Sequence, residues 1–454
     1  MKKFYLVISL LVCVKVGSQN KKVLYGFDKI PQGLLVNPGA ETNYKYHVGV
    51  PVLSGISTDV GVSGFRIADL FRDDNINFND KLDGVLTQLE NNDYVHINSQ
   101  IEVINGGYQI NRRDYLTAGF YVEFDVFSTL PKDLFVLIKE GNAGFINKSF
   151  DLSDAEFNAD LLGVLHVGLT RKMSDKLIVG GRLKIYSGSV NATSTGNEGT
   201  FTTRQGANSI YEHVFSNLQY SGYSSGLYDA DNEFDLDQRG GLFFGSNLGL
   251  GFDVGFTYRY NDQLEYSASL LDVGFISYSE NTRNQFLSGS YTFTGLEFQY
   301  DGTNPDYWQN LNDELDASLP RSENKESYTV LRPIKLYAGA KYSFGKSRSE
   351  QFCSDISFND YYDNAVGGQL YSVLTPAGPR FALTGFYERK FSKYLNTKVT
   401  YTVDDFSYSN FGLGVSTNFW KMNVYAIADN IFRLTDIANA NNAAFQFGIN
   451  FVIK

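Results

Sequence analysis

Four histidines are all that this 454-residue chain offers for general acid–base work: His47, His96, His166 and His213. A nucleophilic relay needs a serine or an acid held beside one of them, and no Gly-x-Ser-x-Gly stands at a strand–turn–helix junction. Ser288, in SGSY, reads as Ser/Gly-rich loop. His166, in GVLHVGLT, has the apolar neighbours of a strand residue. Metal chemistry is no better served, since HExxH spacing is absent. The run DADNEFDLD sets Asp229, Asp231, Glu233, Asp235 and Asp237 at alternate positions, and hard carboxylate oxygens suit Ca²⁺. With Asp229 as first ligand, however, the sixth place, a glycine in EF-hand loops, is Phe234. An acidic, solvated loop is the better reading. No catalytic residue, metal or cofactor is expected.

A second set of charges is more telling. Glu123, Asp125, Arg182, Lys184, Asp253, Lys335, Lys341 and Lys398 each sit between apolar residues in an alternating run. LTAGFYVEFDV places Leu116, Phe120, Val122 and Phe124 on one face and Glu123 and Asp125 on the other. NLGLGFDVGFTYR and PIKLYAGAKYSF do the same around Asp253, Lys335 and Lys341, and the chain ends on AAFQFGINFVIK in the same pattern. Period two means a strand with one apolar and one wet face. These runs are about 10 to 14 residues long, the length a tilted strand needs to cross a bilayer. A soluble sheet rarely needs so many. The composition agrees: 31 Tyr, 36 Phe and 43 Gly, with a mean hydropathy of −0.23 and no apolar run long enough for a spanning helix beyond the N-terminus.

The elements that would position the charges are therefore the strands of an all-β, transmembrane antiparallel barrel. The apolar faces would meet lipid and the eight charges would line the lumen. There they would pair across the barrel or bound a narrow polar conduit. Short turns fall at Asn111–Arg113, Ser174–Asp175, Asn261–Asp262, Phe391–Tyr394 and Trp420–Lys421. Longer stretches lie between, near 65–93, 128–159, 189–245, 277–329 and 432–441. Counting back from the C-terminus gives 14 strands, with 12 to 16 as the range. Two places strain the count: the long connection 346–361, and YKYHVGVPVLSGISTDVGVSG, where Pro51 interrupts a strand. LPKDLFVLIKEG and PDYWQNLNDELDASL read as short loop helices.

The N-terminus MKKFYLVISLLVCVKVGSQN reads as a signal peptide, residues 1–18, cut before Gln19. Its removal takes Lys2, Lys3 and Lys15, so the net charge goes from −11 to −11 − 3 = −14, a poor balance for binding nucleic acid. It also takes Cys13 and leaves Cys353 alone, so no intramolecular disulfide is expected. Residues 19–43 then precede the barrel, residues 44–454. Leu34, Leu35, Val36, Asn37, Pro38 and Gly39 in that stretch suit a plug threaded into the lumen better than a free tail.

QGLLVNPG (Gln32 to Gly39), together with IADNIF (Ile427 to Phe432) ahead of FQFGINFVI, resembles an uncharacterised-domain family of Bacteroidota outer-membrane barrels. That group is similar to long-chain fatty-acid transporter-like (FadL-like) barrels, which have fourteen strands and an N-terminal plug, and to barrels associated with type IX secretion. The resemblance implies the outer membrane of a Gram-negative bacterium, with outer-membrane lipid as surroundings. Two functions follow. One is porin-like, passive transport of a hydrophobic or small solute of unknown identity. The other is a non-transporting barrel that scaffolds outer-membrane or secretion-system proteins.

Overall fold

The computed structural model describes residues 21–206, 211–228, 239–294, 319–346, 362–408, 410–433 and 439–453. The signal peptide, the acidic run at 229–237, the helix read at 305–319, the connection at 347–361 and Cys353 lie wholly or almost wholly outside them.

The chain closes on itself as an antiparallel barrel of 14 staves. The first stave is in two pieces, β1 (Tyr46–Gly49) and β2 (Ile56–Val62), split around Pro51. Next come β3 (Tyr94–Gln109), β4 (Asp114–Thr129), β6 (Phe157–Lys172) and β7 (Leu177–Ser194), with the short β5 (Ser149–Asp151) standing outside the wall. The chain then forms β8 (Glu198–Gln205) and β9 (Tyr211–Ser225) before returning to the wall as β10 (Leu248–Arg259) and β11 (Leu264–Tyr278). β12 (Thr282–Phe293) and β13 (Arg321–Asn324) leave it again. β14 (Tyr328–Leu331) and β15 (Lys335–Lys346) form one interrupted stave. β16 (Tyr362–Thr375), β17 (Gly378–Lys390), β18 (Leu395–Asp404), β19 (Asn410–Phe419), β20 (Met422–Asp429) and β21 (Asn442–Ile453) complete the circuit. Closure is explicit in the register: Val48 faces Phe451, Ile56 faces Phe447, and both halves of the first stave also pair with β3.

The wall is inside-out relative to a soluble protein. Leu183 is 72% exposed, Leu383 62% and Leu250 60%, while Asp253, Lys398 and Asn450 are fully buried. Fourteen staves of exposed Leu, Val, Phe and Tyr form an apolar band that water would not tolerate but a bilayer requires. Along most of each stave polar residues alternate inward with apolar residues outward, as the period-two reading expects, while Leu162, Tyr186, Ile276, Tyr337, Tyr371 and Tyr425 are apolar or aromatic residues buried inside.

Four differences from the sequence reading stand out. The stretch 189–245, expected as loop, contains the end of β7 and two more strands. Ser288 lies within β12, not in loop. β5, β8, β9, β12 and β13 pair into a small sheet beyond the barrel. One of its faces packs Phe150, Phe201 and Phe215 against the helices Phe78–Gln88 and Lys132–Glu140. Its residues alternate like the wall's, but that periodicity does not say whether lipid or protein covers the apolar side. Finally, β16 and β17 meet at Pro376–Ala377, a tight turn at the end where long loops were expected. The wall is low there.

Candidate functional site

Glu123, Asp125, Arg182, Lys184, Asp253, Lys341 and Lys398 are buried and Lys335 is half-buried, and each faces a group of opposite charge. Asp253 takes Arg182 at 3.0 Å and Lys184 at 2.9 Å. Lys184 and Lys335 both reach Asp272, and Lys335 also faces Glu123 at 3.7 Å. Asp125 meets His96, whose other ring nitrogen lies 3.6 Å from Asp59. Lys341 pairs with Asp28 and Glu265, and Lys398 with Glu388 at 3.1 Å. Arg332 bridges Glu123 and Asp160 at 3.3 and 3.2 Å. Buried charge is tolerable only when paired in this way.

Asp272, Arg332, Asp160, His96 and Glu265 were missed by the sequence reading. For Asp272 the reason is a β-bulge. Asp253 on β10 faces two consecutive residues of β11, Leu271 and Asp272, and both point inward. Asp272 takes φ +60° to do so, and its N–H donates to Asp253 Oδ1 at 2.8 Å. Before the bulge Glu265 and Ser269 are inward; after it Ile276 and Tyr278 are. SLLDVGF, two apolar residues followed by an acid, is the trace of this shift in the sequence.

Residues 21–44 run inside the lumen. Val23, Leu24, Tyr25, Phe27, Ile30 and Val36 pack against inward Leu271, Tyr337, Tyr371, Tyr425 and Ile427. Tyr25 stacks on Tyr337 at 4.9 Å. The deepest apolar packing is thus at Val23–Phe27, upstream of Leu34 and Val36. Leu35 is half-buried. Gly33–Val36 forms one helical turn, whose carbonyls at Leu34 and Leu35 accept from Arg182. Asn37 Nδ2 donates to the Phe256 carbonyl and Thr170 Oγ1 to the Pro38 carbonyl at 2.7 Å. Glycine is required here: a Cβ on Gly180 would strike Pro38, and one on Gly255 would strike Asn37. Glu41 is held by Lys172 and Arg259, and Gln32 by Glu102 and Asn450. At the start of the segment, burial and the charge of Lys335 push the Lys21 ammonium down to about 8. Burial pulls Lys22 the same way, but Asp404 at 2.6 Å outweighs it and holds Lys22 above its ordinary value.

Above Lys22, toward the long loops, lies a cavity of about 690 Å³. Its far wall is Tyr94, His96, Asn98, Asp125, Glu156 and Asn158, on and beside β3, β4 and β6. Its near wall is Leu331, Pro333, Val373, Leu374, Phe381 and Ala382. Leu331, Leu374 and Phe381 belong to the outward-facing set, 78%, 52% and 54% exposed. The cavity therefore crosses the wall. The cause is local: β14 pairs with β11 on one side, and β16 turns away at Thr375, so β14 has no strand on its other side among the described residues. Glu156 is a further member that the sequence reading did not single out. Burial pushes its carboxyl up, with Asp154 adding to the effect while the Gly196 N–H opposes it. Among the described residues, neither metal-ligand clusters nor long apolar helices occur.

Residues 38–429 match the profile of a family of unknown function (DUF5723), and the chain belongs to that family. No curated protein matches. Among solved structures, the toluene transporter TbuX of Ralstonia pickettii is similar at 11% identity, covering 98% of this chain and 100% of that one, with a TM-score of 0.43. A FadL homologue of Pseudomonas aeruginosa follows at 9% identity, 94% and 95% coverage and a TM-score of 0.43.

Proposed function

We propose that this DUF5723 barrel resides in the outer membrane of a Gram-negative bacterium, exported by a signal peptide cut near Ser18. There it passes a hydrophobic or small solute, with residues 19–43 as the lumen gate. The observation that carries the reading is the cavity between β14 and the β16–β17 turn. A scaffold has no use for a hole lined on one side by lipid-phase side chains and on the other by lumen charges. The cavity ends on Lys22, so a solute that enters it reaches the gate. From Gly33 to Glu41 the gate is held mainly by hydrogen bonds and ion pairs to its own carbonyls and acids, contacts that water can replace, while Val23–Phe27 anchors it by apolar packing. Such contacts suit a segment that shifts.

The second reading, a barrel that scaffolds surface or secretion-system partners, has one observation in its favour. The five-strand sheet beyond the barrel is built and packed like a small domain, with its β13 edge unpaired among the described residues.

Uptake of Nile red by intact cells that display the folded barrel separates the two. The channel reading expects uptake above a vector control. It expects less in Leu374→Trp, which fills the near wall, and more in Gly180→Leu, whose side chain would displace Pro38. Wild-type uptake equal to the vector control would leave the scaffold reading.

A further inference from the structure

The exposed charge of the barrel is divided between its two ends. At the short-turn end Lys45, Arg112, Arg113, Arg171 and Lys176 stand exposed along β1 to β7. Lys346, Arg389, Lys393 and Lys421 continue the ring along β15 to β20. Against these nine bases, Asp175 and Asp262 are the two exposed acids of that rim among the described residues. Glu41, Asp114 and Glu265 lie at the same end, but they are buried and already paired. Lys454 and the connection 347–361 fall outside the described residues and carry two bases and three acids, so the excess of bases stands. In a chain of net charge −11 this is a reversal. The other end carries the acids: in its first long connection Asp73, Asp74, Asp80, Asp83 and Glu90 are exposed against Arg66 and Arg72.

The basic rim coincides with a belt of rings. Phe391, Tyr394, Phe419 and Trp420 are exposed on it, and Tyr46 and Tyr108 lie with their ring centroids 5.1 Å apart. Lys421 stands 5.9 Å over Trp420, Lys393 4.9 Å over Tyr394 and Arg389 5.0 Å over Phe391. Rings with an apolar body and a polar edge settle at the head-group level of a bilayer, and long basic side chains beside them reach the phosphate layer. The bases ring the circumference instead of gathering on one face. Among the described turns of this end, only Asn261–Asp262 lacks an exposed base. A protein partner would need one contiguous patch, whereas a head-group layer meets the barrel all round. Backbone bonds tie one arc of the ring together. The Tyr394 carbonyl accepts the Asn418 N–H at 2.8 Å, the Lys421 carbonyl accepts the Val452 N–H at 2.7 Å, and the Lys45 N–H donates to the Ile453 carbonyl at 2.7 Å. Lys393, Lys421 and Lys45 therefore follow one another along neighbouring staves, around Phe419 and Trp420.

We propose that the short-turn rim binds anionic phospholipid head groups. Lys45, Lys393 and Lys421 hold the phosphate, and Phe419 and Trp420 sit among the upper acyl carbons. The inference concerns the lipid around the wall and stands apart from the transport reading.

The test uses the full barrel in mixed vesicles of phosphatidylcholine and phosphatidylglycerol. Trp308→Phe leaves Trp420 as the one tryptophan, a reporter on the rim itself. Its quenching by phosphatidylglycerol brominated high on the acyl chain should show a relative affinity at least about threefold above that of brominated phosphatidylcholine. Molar salt should bring the ratio toward one. Combining Lys45→Gln, Lys393→Gln and Lys421→Gln should do the same in protein whose heat-modifiable migration shows a folded barrel. Arg66→Gln with Arg72→Gln, at the far end, should leave the ratio unchanged. Wild-type protein released into detergent and weighed intact should retain phosphatidylglycerol ahead of phosphatidylcholine, a comparison that needs no substitution. Equal affinity for the two lipids with the lysines in place would overturn the proposal. So would a preference that survives in the triple variant or disappears in the Arg66, Arg72 pair. Retention of peptidoglycan fragments without a lipid preference would also overturn it and give the rim to the cell wall.

Discussion

At the scale of single residues, burial direction decides what a substitution costs. Phe447 faces outward on β21, whereas Gln446 is 2% exposed and donates to the Tyr425 hydroxyl. Phe447→Arg should cost ~2–4 kcal/mol if the residue lies near the bilayer midplane. Gln446→Arg should cost much less, because the lumen offers polar partners. The fraction of heat-modifiable protein in the membrane measures both, and equal tolerance would contradict the lipid-facing assignment. Asp253 is a harsher case. It is fully buried and neutralises both Arg182 and Lys184. Asp253→Asn leaves two buried cations short of a partner and should cost on the order of 3–5 kcal/mol. Glu212→Gln, which breaks the exposed pair with Arg204, should cost at most about 1 kcal/mol. Urea unfolding from vesicles ranks the two.

At the scale of elements, the β11 bulge and the wall glycines do the positioning. Deleting Asp272 would restore strict alternation and turn Ile276 and Tyr278, both fully buried, out of the packed interior. The barrel should then fail to reach its heat-modifiable form. Asp272→Gly keeps a residue that accepts φ +60° and loses only the carboxylate shared by Lys184 and Lys335. Asp272→Val loses both. The expected order of folded yield is wild type, Gly, Val, deletion. Gly180→Leu is different in kind, since its side chain would collide with the lumen segment while the stave keeps its register. Hydrogen exchange should quicken at residues 36–40 and stay slow in β7.

At the scale of the whole molecule, one end of the barrel carries the short turns and the end of β21, and the other carries the extra sheet and the cavity. In a background lacking Cys353, a cysteine at Tyr211 should label on intact cells and one at Asp262 should not. The reverse would invert the barrel. The ends also differ in height: the staves around β7 extend well past the β16–β17 turn, which is what leaves the cavity open sideways.

The period-two alternation by itself determined which segments are strands and which face of each is apolar, and the spacing of the short turns added a count of 14 in a range of 12 to 16. That pattern is local: within one strand, side-chain direction follows from the backbone alone. It set Lys341 and Lys398 on the polar face of their strands without any contact being known. Pairing is not local. Lys341 meets Asp28 because the chain's first segment returns through the barrel, and Arg332 meets Asp160 across the lumen. Only the tertiary structure could decide those partners, the bulge at Asp272 that reverses the phase, and the open edge of β14. Each depends on which strand lies beside which and at what height, and no run of residues records its neighbour's length.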